Sequence, residues 1–164
     1  MNKTRKLAYV TMLSALAIVI NIIENSFIPE LPMGIRFGLA NIIALVTINI
    51  FGIKEMLIVN IMRVTLGNLL AGTIFGTRFF IAMGGIVLSS ISLIVTNKLK
   101  CSVVFSSIVS AFFHTIGQII VVCIIYGTTY MFSAIPLYII SSIGTGVLTG
   151  IIASGVLKRV RIWK

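Results

Sequence analysis

The sequence predicts an all-α membrane protein with six transmembrane helices and both termini in the cytoplasm. Three observations carry this expectation. Of 164 residues, 59% are hydrophobic and only 10% charged, and the mean hydropathy is +1.18. A water-soluble domain of this size has too little interior to hide so much apolar surface, and ordinary globular usage is about 25% charged. The apolar residues fall into six stretches, each near the roughly 20 residues that a spanning helix needs. Finally, Lys and Arg are placed unevenly about those stretches.

The expected spans are 7–23, 37–53, 56–73, 79–96, 102–126 and 133–157, separated by charged or turn-forming residues. The first follows Lys3-Thr-Arg5-Lys6, which looks like the start of a signal peptide. No small-residue cleavage site follows, so it reads as a retained helix. The longest connection runs from Glu24 to Arg36 and contains Pro29 and Pro32; long ordered loops often act as lids. Nothing polar is long enough for a second domain, so residues 1–164 read as one integral membrane domain.

Orientation follows from the basic residues. Lys3, Arg5, Lys6, Lys54, Lys98, Lys100, Lys158, Arg159, Arg161 and Lys164 fall on one side, Arg36 and Arg78 on the other, and Arg63 inside a span. Ten against two places both termini in the cytoplasm of a bacterial cell, with a multi-pass location in its membrane. The formal charge of +10 is then a topology signal. It does not mark nucleic-acid binding, because no aqueous face interleaves aromatic and basic residues.

Exclusions narrow the class. There is no Asp, and the only acids are Glu24, Glu30 and Glu55. A nucleotide-binding P-loop, a zinc-protease helix motif and a serine-hydrolase elbow are all missing. Cys101 and Cys123 are two isolated thiols, too few for a metal cage. No metal, cofactor or catalytic residue is expected, and the chain does not read as an enzyme.

The polar residues inside the spans carry the functional signal. In the third span Asn60, Arg63, Gly67, Asn68 and Ala71 share an arc of about 140° at 100° per residue. A charge at mid-span costs about 2.5–3.5 kcal/mol on insertion scales, so Arg63 should face protein, water or ligand. No carboxylate is an evident partner, since Glu24 and Glu30 read as lying toward the outer surface. A structural clamp on loop carbonyls and a ligand contact both fit. In the fifth span Ser107, Ser110, His114 and Gln118 lie within about 80° of one another. His114 fits a hydrogen-bonded interior side chain, a substrate contact, or a metal or proton-relay group; a single histidine without nearby carboxylates is poor at the last two. In the sixth span Gly146-x-x-x-Gly150-x-x-x-Ser154 reads as a helix-packing ridge. In the first, Ala8, Thr11, Ser14, Ala15 and Ala17 suit packing within the chain or docking to another membrane subunit. Arg36 and Arg78, at the outer mouth, suit either an anionic solute or lipid headgroups.

Three stretches carry a family resemblance: Gly34-Ile-Arg36-Phe-Gly38-Leu-Ala40-Asn41, Arg63-Val-Thr-Leu-Gly67-Asn-Leu-Leu-Ala-Gly72-Thr73 and His114-Thr-Ile-Gly117-Gln118. Over residues 5–157 the chain resembles the Gx transporter family, also labelled heptaprenyl diphosphate synthase component I. Thr115 stands where that family more often has Asn, which leaves any contact of that Asn open here. The family is similar in size and topology to the S components of energy-coupling factor (ECF) transporters. Those are six-helix subunits that capture vitamins and work with a transmembrane coupling subunit and two ATPases. In them a small-residue face on the first helices docks the coupling subunit, and the first outer loop and later helices form the pocket. The resemblance therefore implies an ECF S-component-like bundle that binds a vitamin- or cofactor-like molecule, a flavin as first guess. Its substrate-binding residues would be Arg36, Asn41, Arg63, Asn68, Arg78, His114 and Gln118. The synthase label implies the alternative, a membrane accessory subunit linked to polyprenyl diphosphate and menaquinone side-chain synthesis. A small carrier that works alone is a third reading.

Overall fold

A computed structural model describes residues 3–27, 39–127 and 135–162. Its elements are α1 (Lys3–Phe27), α2 (Asn41–Ile50), α3 (Ile53–Leu70), α4 (Thr77–Lys98), α5 (Val103–Tyr126) and α6 (Ile135–Ile162). Local signals set several ends. Ser102 caps α5, its hydroxyl accepting from the Phe105 amide at 3.2 Å. Gly127 closes the same helix in the left-handed conformation at φ 60°, which costs glycine nothing.

Four helices are long and apolar enough to cross a membrane: Lys3–Glu24, Thr77–Lys98, Val103–Tyr126 and Ile135–Val160. Their outward side chains, among them Leu7, Met12, Ile124, Leu137 and Ile140, are each more than 60% exposed, the pattern of a surface solvated by lipid. The second and third of the six expected spans are not among these four. α2 has only 10 residues, about 15 Å at roughly 1.5 Å per residue, half a hydrocarbon core. Its apolarity has another source. α2 lies at the centre and touches all five other helices, with seven of its residues, Asn41 and Ile43–Ile48, buried. α3 has 18 residues but carries Lys54, Glu55 and Arg63.

Side chains from the ends of α2, α4 and α6 and the starts of α3 and α5 meet in one apolar cluster that includes Ile48, Met56, Leu93, Val103 and Leu157. The start of α1 joins them through Tyr9, stacked against Phe51 at 6.1 Å, and through the ion pair of Lys6 with Glu55. The basic residues flanking these helix ends thus gather at one end of the bundle.

Helix contacts rest on small residues and on hydroxyl or amide bridges. α4 crosses α5 where Gly84 and Gly85 meet Gly117. A methyl placed on Gly117 would overlap the Gly84 carbonyl, coming 2.8 Å from its carbon and 3.1 Å from Gly85 Cα. α6 sits on α5 through Gly146, whose added Cβ would be 2.7 Å from Ile108 Cα, and Gly150, 2.9 Å from Val104 Cα. The packing role expected for this ridge is therefore its structural role at both glycines, and buried Ala153 continues it in place of the half-exposed Ser154. Polar bridges tie the helices laterally: Asn60 Nδ2 to Ser90 Oγ at 2.9 Å, Asn41 Nδ2 to Ser110 Oγ at 2.6 Å, and Ser107 with Thr149 at 2.8 Å. Such bonds average about 0.6 kcal/mol in membrane bundles. The small residues of α1 divide: Ser14 and Ala17 are buried, whereas Ala8, Thr11 and Ala15 lie exposed on the opposite side.

Two outcomes follow from this packing. Gly117→Ala should destabilise the bundle by about 1–3 kcal/mol, because two backbones must separate, while Gly144→Ala, with nothing within 4 Å, leaves it unchanged; thermal unfolding in detergent compares them. The Lys6 ammonium, by hydrogen bond and charge, holds the Glu55 carboxyl below its ordinary range. The stabilisation of that pair is present above the unfolded carboxylate value and is lost as pH falls through the lowered folded value. Unfolding midpoints measured from neutral to acid pH should therefore fall further for the wild type than for Glu55→Gln. At neutral pH the variant differs by less than about 1 kcal/mol, as for other solvent-accessible pairs.

Candidate functional site

At the end of the bundle away from the basic cluster, polar side chains from three helices close around one cavity. Its lining includes Asn21 and Glu24 of α1, Arg63 of α3, and His114 and Gln118 of α5. Ala40, Val64, Ala82 and Ile86 complete the wall. The volume is about 20 Å³, room for one water molecule. Glu24, Arg63, His114 and Gln118 are each at most 5% exposed.

The helices deliver these groups by simple periodicity. On α1 the buried residues Val10, Ser14, Ala17 and Ile18 mark an inward stripe, and steps of three or four carry it on to Asn21 and Glu24. α1 continues through Phe27 rather than ending at residue 23, so Glu24 belongs to a helix and not to a surface loop. This corrects two expectations. Arg63 shares its cavity with a carboxylate, and His114 is not remote from one. Asn21 approaches α3 at Gly67, whose added Cβ would lie 4.0 Å from Asn21 Cγ. On α5, His114 and Gln118 are one turn apart with His114 Nε2 and Gln118 Nε2 at 3.2 Å. The imidazole fits because position 85 has no side chain: a Cβ there would come 2.7 Å from His114 Cε1 and 2.8 Å from Nδ1.

Of the seven residues expected to bind substrate, Arg63, His114 and Gln118 converge here. Asn41 is adjacent in the fold but bonds Ser110, one turn before His114 on α5, and its buried Oδ1 has no hydrogen-bond partner among the described residues. Asn68 stands apart. Its amide donates to Val64 O at 2.8 Å, and its Oδ1 accepts from Thr73 Oγ1 at 3.0 Å, which secures the turn after α3. Arg78 is exposed in the first turn of α4, away from the cavity lining. Arg36 lies outside the described residues. Glu24, Asn21 and Gly85 went unread in the sequence. The signal for the first two was the inward stripe of α1, extended by one turn.

Glu24 and Arg63 bring a carboxyl and a guanidinium group to the same cavity. In a medium of low dielectric an isolated guanidinium is costly, and a countercharge in the same cavity offsets that cost. The set offers both hydrogen-bond donors and acceptors around one cavity. The coupling is measurable in a double-mutant cycle. Glu24→Gln and Arg63→Met should each lower the unfolding temperature, and the double variant should recover part of the loss, with a coupling of about 1 kcal/mol or more. Strictly additive losses would show that the two charges act separately.

The family model described as Heptaprenyl diphosphate synthase component I matches residues 13–156, a span that takes in every residue around the cavity. No curated protein and no solved structure matches the chain. The chain, a membrane protein by its long apolar helices, belongs to the heptaprenyl diphosphate synthase component I family.

Proposed function

We propose that this protein is the solute-binding subunit of a membrane transporter with an ECF S-component-like fold, and that the Glu24–Arg63–His114–Gln118 cavity is where its solute is held. The observation that carries this reading is the convergence of five polar side chains, from α1, α3 and α5, on one cavity of an otherwise apolar bundle. Ionisable groups at membrane depth are expensive and usually mark a solute or ion path. The residues suit a vitamin- or cofactor-like molecule with a polar, uncharged ring edge, such as a flavin. The chain itself is not catalytic. Energy comes from a coupling subunit and ATPases on other chains, docked on the exposed Ala8–Thr11–Ala15 side of α1, and the site opens and closes across the bacterial cytoplasmic membrane.

Size imposes a condition on this reading. Small-molecule pockets measure about 300–1,000 Å³, and this cavity holds about 20 Å³. The arrangement here is then the closed member of an alternating pair. α1 is the element to move, because it supplies Asn21 and Glu24 yet is the least buried of the four spanning helices. The family description supports a second reading, a non-catalytic membrane partner of a soluble prenyl synthase.

Riboflavin titration of the detergent-purified protein, followed by quenching of flavin fluorescence, tests the site. Arg63→Ala and His114→Ala should weaken binding at least about tenfold each, the loss of a hydrogen bond from a buried polar group, with expression intact. Asn68→Ala should bind normally. Full binding by both cavity variants would sink the assignment. Recovery of a prenyl synthase, and no coupling subunit, on affinity purification from native membranes would favour the second reading.

A further inference from the structure

A second polar cavity lies at the opposite, basic end, outside the site proposed for transport. It holds about 330 Å³, and its polar lining is Asn49, Asn97, Lys100, Cys101, Ser102 and Ser106 over an apolar floor from α2 and α4. No carboxylate lines it.

One tight connection builds this wall. α4 ends with Lys100 in the left-handed conformation at φ 55°, its amide bonded to Asn97 O at 3.1 Å, and with the Cys101 amide bonded back to Thr96 O at 3.0 Å. This is the six-to-one closure that usually places glycine where Lys100 stands. α5 then starts at once. Ser102 uses its hydroxyl and its carbonyl to accept from the amides of Phe105 at 3.2 Å and Ser106 at 2.9 Å. The amides of Val103 and Val104 make no hydrogen bond among the described residues, so the first donors of a 24-residue helix stand open, with Val103 in the cavity lining. A second observation is independent of the helix end. Ser106 is 94% buried and lines the cavity, yet its hydroxyl has no hydrogen-bond partner among the described residues.

We propose that this cavity binds a phosphoryl group, carried either by a phosphorylated solute or by a phospholipid headgroup. An ammonium, the hydroxyl of a mostly buried serine and the open amides of a helix N-terminus are the donor set that phosphate oxygens accept from. The volume admits the phosphoryl group with a small substituent. The site stands apart from the Arg63 cavity, at the other end of α5, and neither depends on the other.

Cys101, in the cavity wall, is the reporter. In a Cys123→Ala background, the rate at which N-ethylmaleimide labels Cys101 is measured by mass spectrometry in detergent. Inorganic phosphate, chloride at equal ionic strength, and mixed micelles with phosphatidic acid are the three conditions. Phosphate or phosphatidic acid should slow labelling where chloride does not. Lys100→Gly should weaken that protection roughly tenfold, one charge-assisted hydrogen bond, although glycine accepts the left-handed turn more readily and folding is unharmed. Ser106→Ala should weaken it roughly threefold, and Lys98→Ala, whose side chain is outside the lining, should leave it intact. Protection by inorganic phosphate identifies a soluble ligand, and protection by phosphatidic acid alone identifies a headgroup. Labelling that responds to neither, or protection undiminished in both Lys100→Gly and Ser106→Ala, would overturn the proposal.

Discussion

The guanidinium of Arg63 inside an apolar bundle is the constraint on which the upper half of this protein turns. Lipid offers it no hydrogen bonds, and the surrounding helices must. The arrangement around it follows: α1 runs one turn beyond its apolar stretch to bring Glu24 inward, α5 presents His114 and Gln118 on one face, and α4 gives up a side chain at Gly85 so that the imidazole has room. Each concession is local, yet together they fix how far apart α1, α3, α4 and α5 can stand.

The bundle is held unevenly. α4, α5 and α6 meet through glycines that bring backbones into contact, reinforced by bridges such as Ser107 with Thr149. Dispersion between closely fitted helices grows with such approach, and nothing else in lipid drives helices together so effectively. α1 rests on α3 with a narrow stripe and leaves most of its surface outward. The least buried of the four long helices thus supplies two of the five polar side chains around the cavity, Asn21 and Glu24.

The short helix α2 resolves what would otherwise be a contradiction. A strongly apolar helix of 10 residues needs a place to be buried, and the centre of the bundle provides it. Its position also separates the two cavities: Ala40, before its first turn, borders the Arg63 cavity, and Ile48 and Asn49, in its last, border the basic-end cavity. Both ends of one 10-residue helix thus touch polar space.

Much of this was legible in the sequence. Hydropathy announced a helical membrane protein, the Lys and Arg residues sorted the helix ends, and 3.6-residue periodicity set Arg63 on the polar face of α3 and His114 and Gln118 together on α5. Glycine spacing marked a close-packing face on α6, and the structure sets that face on α5. These are properties of single helices, and a single helix is what periodicity describes. Hydropathy could not tell burial in protein from burial in lipid, because both reward the same side chains; α2 therefore read as a span. Glu24 sat past the apolar run and read as a loop residue, since only packing against α3 makes the extra turn of α1 worthwhile. The placing of Glu24 and Arg63 in one cavity, the gap that Gly85 leaves for His114, and the cavity between Lys100 and Ser106 all depend on which helices become neighbours. That choice is made by backbone approach between segments distant in sequence, and only the tertiary structure decided it.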